Sequence, residues 1–174
     1  PEMRSTGEVM GIDRSFGLAF AKSQAAAGAR LPETGTVFLS LADRDKEQGL
    51  TAAARFADLG FSIVATAGTA AACEARGIPV KVAVAKVGEA AGMDAVELIA
   101  SGEVDLVVNT PRGRGPRADG AHIRRAAVLH KIPCLTTVAA ALAAAAGIAE
   151  SRTTDVTVRS LQEYHRDHQL RLEV

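Results

Sequence analysis

Tryptophan is absent from this chain, and aromatic residues make up only 3% of it. So few rings leave no stacking platform of the kind single-strand nucleic-acid binders use. Neither sign of charge prevails, with 20 Lys and Arg against 20 Asp and Glu. A neutral chain carries no general electrostatic drive toward nucleic acid or a membrane surface. Cysteine occurs twice, at Cys73 and Cys134. Their spacing forms no metal motif, and each sits beside apolar residues, as a small core residue in a reducing cytosol does. The longest apolar run, "VAAALAAAAGIA" from Val138, is about 12 residues, against the ~20 a membrane helix needs. No cationic leader precedes an apolar segment, so no signal peptide is expected. These absences lead to an expectation of a cytoplasmic protein with neither nucleic acid nor membrane as partner.

What is present is a chain of 174 residues, 48% hydrophobic, much of it alanine. That is enough for one domain with a sizeable core and closely packed helices. The opening "PEMRSTGEVMG" has no initiator Met, and a piece of a longer chain is expected from it. Residues 13–27 read as a helix capped by Asp13, with Phe16 and Phe20 on one face and Gly28 as its stop. A turn-rich stretch, 29–35, follows. Strands are then expected at 36–41, 61–66, 79–84, 104–110 and 133–137. Between them lie helices at 45–60, 70–76, 93–102 and 121–131, and an alanine-rich helix runs from Val138 to about Ala146. Leu50, Ala54 and Ala57 form the inward face of the helix at 45–60, and Gly60, Gly77 and Gly102 act as stops. "DVTVRSL" reads as a further strand before a last helix. Apolar strands alternating with helices at short spacing are the pattern of an α/β fold with a parallel sheet covered on both faces.

Ligands of such sheets bind at the carboxyl ends of the strands. The residues there are Ser40, Asp43 and Lys46, then Thr66, Gly68 and Thr69, then Lys86, then Asn109 and Thr110, and last Thr136 and Thr137. Within "ATAGTAAACEARG" (65–77) a buried strand ends on small polar residues where a helix begins. Free N–H groups of a first helical turn and the helix dipole favour an anion there. Thr66 and Thr69 add hydroxyls, and Gly68 lets the backbone approach closely. The competing reading makes Thr69 an N-cap and Gly68 a turn residue. Two lysines, several hydroxyls and an amide on one rim suit a phosphate carrying a sugar or base. No nucleophile is paired with a His base, no His–Cys cluster marks a metal site, and no G-x-x-x-x-G-K-[ST] loop is present. Catalytic and metal sites are therefore not expected.

Other features carry less. "PRGRGPRADG" (111–120) is either a loop over a ligand or a solvated loop. Its arginines are the sole footing for a nucleic-acid-binding module. His165 and His168, three apart on the last helix, read as a surface helix rather than a metal pair. His122 and His130 read as structural or exposed.

Three blocks resemble the C-terminal end of the carbamoyl-phosphate synthase large subunit. They are "KEQGLTAAARFADLGFSIVATAGTA", "NTPRGRGPRADGAHIRRAA" and "IPCLTT", and "PEMRSTGEVMG" resembles the close of that subunit's second ATP-grasp half. The resemblance covers almost the whole chain. It implies the end of an ATP-grasp half with a linker at 1–30, then a methylglyoxal-synthase-like regulatory domain at 31–174. That domain is a three-layer sandwich around a mainly parallel sheet of about five strands. It also implies a nucleotide effector, commonly UMP as inhibitor and sometimes IMP as activator. The phosphate and nucleotide contacts would fall on Ser40, Lys46, Thr66, Gly68, Thr69, Lys86, Asn109 and Thr110. Some members respond to ornithine at the junction with the preceding half. Glu2 matches one acid used there, and Thr136 lies in the region concerned. Ornithine-responsive enterobacterial members have Tyr-Asp-Thr-Thr where this chain has Cys134, Leu135, Thr136 and Thr137.

The parent enzyme is a ligase that makes carbamoyl phosphate, for pyrimidine and arginine biosynthesis, from glutamine, bicarbonate and two ATP with Mg²⁺. The implied partners are the rest of the large subunit and the glutaminase small subunit, with a homo-oligomer left open. No cofactor is expected in this stretch, and alone it is expected to be inactive. An enzyme of the same fold, methylglyoxal synthase, is the alternative. That family needs a Gly-Gly-Asp base and a His-Asp-Pro-Asp run. Asp43 fits its first acidic position, but Gly88, Glu89, Ala90, Ala91, Gly92, Met93 and Asp94 stand in the base region, and Asp119, Gly120, Ala121 and His122 replace the His run.

Overall fold

The computed structural model describes residues 9–85, 93–110, 119–154 and 157–169. Five parallel strands form one sheet: β1 Thr36–Ser40, β2 Ser62–Thr66, β3 Val82–Val84, β4 Leu106–Asn109 and β5 Cys134–Leu135, in the order β3-β2-β1-β4-β5. The helices are α1 Phe16–Ala26, α2 Lys46–Asp58, α3 Ala67–Ala75, α4 Ala95–Ala100, α5 Asp119–Leu129, α6 Val138–Ser151 and α7 Leu161–Gln169.

Side chains alternate across a strand, and here the alternation divides the core in two. Val37, Leu39, Ile63, Ala65, Leu106 and Val108 pack with Leu50, Ala53 and Phe56 of α2, Cys73 of α3, and Ala141, Ala144 and Ile148 of α6. Phe38, Val64, Val84 and Val107 face the other way, onto Leu98 and Ile99 of α4 and Ile123 and Ala127 of α5. Helices therefore cover both faces, and the three layers of an α/β sandwich result. The four helices α1 to α4 end where expected, at Gly28, Gly60, Gly77 and Gly102, all at positive φ.

The alanine-rich composition has a use in α6. A Cβ on Gly147 would come within 2.5 Å of the Gly17 carbonyl oxygen, so α1 lies against α6 at backbone contact. Gly147 is thus a contact point, and α6 runs on to Ser151, beyond the expected end near Ala146.

Several expectations are corrected. Ser15, not Asp13, caps α1: its hydroxyl accepts from the Leu18 amide at 3.1 Å and donates to Glu150 of α6. Asp13 instead pairs with Lys22 at 2.7 Å. The inward face of α2 is Leu50, Ala53 and Phe56, with Ala54 and Ala57 half-buried. The large ring of Phe56 takes the core position and meets Phe61 edge-on at 5.9 Å. α3 begins three residues early, at Ala67. Strands β3 and β5 are shorter than read, and no strand precedes α7 among the described residues. There Ser160 and Glu163 cap the helix reciprocally instead, the Ser160 amide donating to the carboxylate at 2.7 Å.

Candidate anion-binding site

Strand order reverses direction on either side of β1 and β4, and such a switch point opens a crevice at their carboxyl ends. β2 lies directly beside β1. Register places Ser40 opposite Asn109, and Leu39 opposite Ala65 just before Thr66. Sheet geometry alone therefore gathers Ser40, Thr66, Asn109 and Thr110 on one rim.

Three polar residues are fully buried among the described ones, Thr69 (0% exposed), Asn109 (1%) and Thr110 (3%), and all three belong to this rim. Buried polar groups need partners, and each has one. The Leu41 amide donates to Thr69 Oγ1 at 3.1 Å, and the Ala42 amide donates to Thr110 Oγ1 at 2.8 Å. The loop leaving β1 is thereby held from both flanks. Asn109 Nδ2 donates to the Gly120 carbonyl at 2.8 Å, fixing the first turn of α5. Thr69 is neither the N-cap of the competing reading nor an exposed donor. It is the third residue of α3, and Thr66 Oγ1 stands 3.2 Å from its hydroxyl.

Thr66 occupies the N-cap position of α3 with extended backbone angles, yet its side chain makes no capping bond. Gly68, exposed in the first turn, leaves the backbone bare. Lys46 reaches over that turn: a Cβ at Gly68 would lie 3.7 Å from Lys46 Nζ. One ammonium thus stands beside one open helix start, two positive features on the same spot. Lys46 Nζ also pairs with Asp43 at 2.8 Å, the Asp43 side chain being 77% exposed. A pair that exposed contributes little, about 0–1 kcal/mol, so a doubly charged phosphate competes well for the lysine.

The other predicted residues stand as follows. Ser40 is half-buried at the end of β1. Thr136 is exposed past β5, and Thr137 caps α6, accepting from the Ala140 amide at 3.1 Å. Glu2, Lys86, the stretch from Gly88 to Gly92, Arg112, Arg114, Arg117 and the side chain of His168 lie outside the described residues. His122, His130 and His165 are exposed, and no group of metal-ligating side chains occurs among the described residues. Cys73 and Cys134 are unpaired, and burial pushes both thiols up, that of Cys134 to about 11. No helix is long and apolar enough to cross a membrane among the described residues.

Asp94, the acid at the end of the altered base region, is committed elsewhere. Its carboxylate accepts from the Val96 and Glu97 amides at 2.8 and 2.9 Å, and Glu97 accepts from the Asp94 amide at 3.1 Å. This is a capping box on α4, and it leaves the carboxylate bound to a helix start.

What the sequence did not reveal is the division of labour on the rim. Thr69, Asn109 and Thr110 build the loops, whereas Lys46, Thr66 and Gly68 face outward. The Lys46–Asp43 pair was readable from their spacing of three residues.

The chain is 55% identical to the carbamoyl phosphate synthase large chain of Rubrobacter xylanophilus over 95% of its own length and 16% of that relative. It is equally 55% identical to the large chain of Mycobacterium tuberculosis over 95% of its length, and 50% identical to that of Acidobacterium capsulatum over 97%. The chain thus spans only about 15–16% of the curated relatives it matches. The family model of the MGS-like domain matches residues 48–136, from the first turn of α2 to the end of β5. A five-stranded parallel sheet between helices, this match over half the chain and these identities agree: the chain belongs to the MGS-like domain family.

Proposed function

We propose that this chain is the allosteric regulatory domain of a carbamoyl-phosphate synthase large subunit and binds a nucleoside monophosphate, such as UMP or IMP, at the carboxyl ends of β2, β1 and β4. The observation that carries the reading is the Lys46 ammonium over the uncapped start of α3 at Gly68. The identity to synthase large chains supports the parent.

The phosphate sits at Gly68, accepts from the first amides of α3 and takes Lys46 from Asp43. Lys86 supplies a second cation, and the Thr66 and Ser40 hydroxyls bond phosphate and ribose. Thr69, Asn109 and Thr110 act through the loops they hold. Because the loop from Leu41 to Lys46 carries both the lysine and its acidic partner, occupancy re-pairs that loop. That is the physical event a regulatory domain can pass on. Thr136, and Glu2 upstream, belong to the region where ornithine would act in responsive members. Residues 1–30 are the link to an ATP-grasp half, and 31–174 are the regulatory unit.

In the assembled ligase the remainder of the large subunit and a glutaminase subunit supply ATP, Mg²⁺ and ammonia handling. The described residues hold none of the parts that phosphoryl transfer needs, and alone the chain is expected to make no carbamoyl phosphate. The engagement of Asp94 in the α4 cap argues against a methylglyoxal-synthase reaction, since a base must reach its carbon acid.

Calorimetric titration with UMP, IMP, ornithine and dihydroxyacetone phosphate tests the reading. Saturable binding of UMP or IMP, weakened by Lys46→Ala, is the expected result. Turnover of dihydroxyacetone phosphate to methylglyoxal would overturn it.

A further inference from the structure

Arg124 of α5 is half-buried, yet it makes neither a hydrogen bond nor an ion pair with any described residue. The guanidinium has a definite place. A Cβ at Gly120 would meet Arg124 Nη1 at 3.1 Å and Asn109 Nδ2 at 3.0 Å, so both groups stand over the same turn of α5. The absence of a side chain at Gly120 leaves them that room. One of the two Asn109 Nδ2 donors is taken by the Gly120 carbonyl. Among the described residues Arg124 is therefore a cation with donors to spare at the β4 side of the crevice. Its charge also reaches the Cys134 thiol of β5, where it opposes the upward push of burial.

Lys46 and Gly68 lie at the β2 side, and β1 separates the two sides. Two strand spacings amount to roughly 10 Å. A bare phosphate held at Gly68 does not span that gap, but a phosphate with a sugar and base attached does. We infer that Arg124 is the specificity residue for the distal end of the ligand, reading an acceptor on the base or sugar while Lys46 holds the phosphate. A guanidinium presents five donors and no acceptor, so the group it meets is a carbonyl or hydroxyl oxygen. Its flat face can also stack on the base. The inference rests on the proposed nucleotide site and adds the end of that site that selects nucleotide over phosphate.

The test compares UMP with inorganic phosphate, by titration and by competition, on the wild-type chain, Arg124→Ala and Lys46→Ala. Arg124→Ala is expected to weaken UMP roughly ten- to hundredfold while leaving phosphate unchanged. Lys46→Ala is expected to weaken both. Unchanged UMP affinity in Arg124→Ala, with Lys46→Ala still impaired, overturns this inference and leaves the site standing. Equal loss of UMP and phosphate in Arg124→Ala places the arginine at the phosphate and also overturns it. A wild-type chain that binds no UMP takes both the site and the inference with it. Arg124→Gln, which keeps the aliphatic stem and removes the charge, replaces the alanine variant if that one melts early, and the same outcomes decide.

Discussion

The two rims of the sheet handle their polar groups in opposite ways. At the amino rim several polar groups close inward. The Thr36 amide donates to Asp105 at 2.7 Å, and Gly35 sits so tightly beneath that carboxylate that a Cβ there would lie 1.9 Å from Oδ2. Arg152 donates to the Leu59 and Glu33 carbonyls and lies over the Phe61 ring at 5.7 Å. At the carboxyl rim the outer helices are also sealed, α4 by Asp94 and α6 by Thr137. The start of α3, which follows β2, is not. Lys46 stands there instead of a cap. The contrast teaches that the same strands can be tied off at one end and left with unspent donors at the other, the end where binding is proposed.

The contrast can be broken most severely at the sealed rim. Gly35 has φ +118 and no space for a side chain, so Gly35→Ala is expected to cost about 2–4 kcal/mol of stability. The rise in denaturation sensitivity measures it, and nucleotide affinity of the remaining folded protein should not change.

Next in size is Thr69→Val, which keeps the shape and deletes the acceptor of the buried Leu41 amide. Leaving that amide unsatisfied is expected to cost about 1–3 kcal/mol. Urea unfolding gives the number. Because the Leu41–Lys46 loop also carries the ligand's lysine, UMP affinity should fall too. A loss of affinity without a loss of stability would make Thr69 a direct contact and not a loop support.

Sealing the open end tests the contrast from the other side. Thr66→Asp supplies α3 with the carboxylate cap it lacks. A thermal midpoint raised by about 0.5–1 kcal/mol of added stability is expected, together with weaker UMP binding, since the carboxylate occupies the anion's place.

The smallest effect concerns pH. Burial alone would raise the Asp13 carboxyl, but hydrogen bonds from Lys22 and the Arg14 amide, with the charges of both, hold it below its ordinary value. A lowered carboxylate pKa means the folded state binds its proton less readily than the unfolded chain. The stabilisation is therefore fully present above the ordinary value, about 4, and is lost as pH falls below it through the lowered folded-state value. Wild type and Asp13→Asn should differ in melting midpoint at neutral pH and converge in acid.

Much of this was legible beforehand, for identifiable reasons. Period-two burial in strands and glycine stops are local signals, so β1, β2, β4 and the ends at Gly28, Gly60, Gly77 and Gly102 could be read directly. The rim followed from the rule that α/β sheets bind at strand carboxyl ends. What could not be read depends on tertiary partners. Asp13 and Ser15 are both good caps, and the choice falls to Ser15 because Lys22 and Glu150 are nearby in space. That Thr69 and Thr110 accept from the amides of Leu41 and Ala42 could not be read, because nothing in a string of letters shows which amides need a partner. The helix from Val138 was read only to about Ala146, because its contact with α1 at Gly147 is a tertiary one. Arg124 was one arginine among many, distinguished only by its place beside Asn109.

Whether Lys46 and the open start of α3 form an anion site is decided by titrating UMP into wild type and Lys46→Ala. Saturable binding to wild type is expected, and a Kd raised roughly ten- to hundredfold in Lys46→Ala at an unchanged melting midpoint. Equal affinity in the two proteins, or no binding to either, would contradict it.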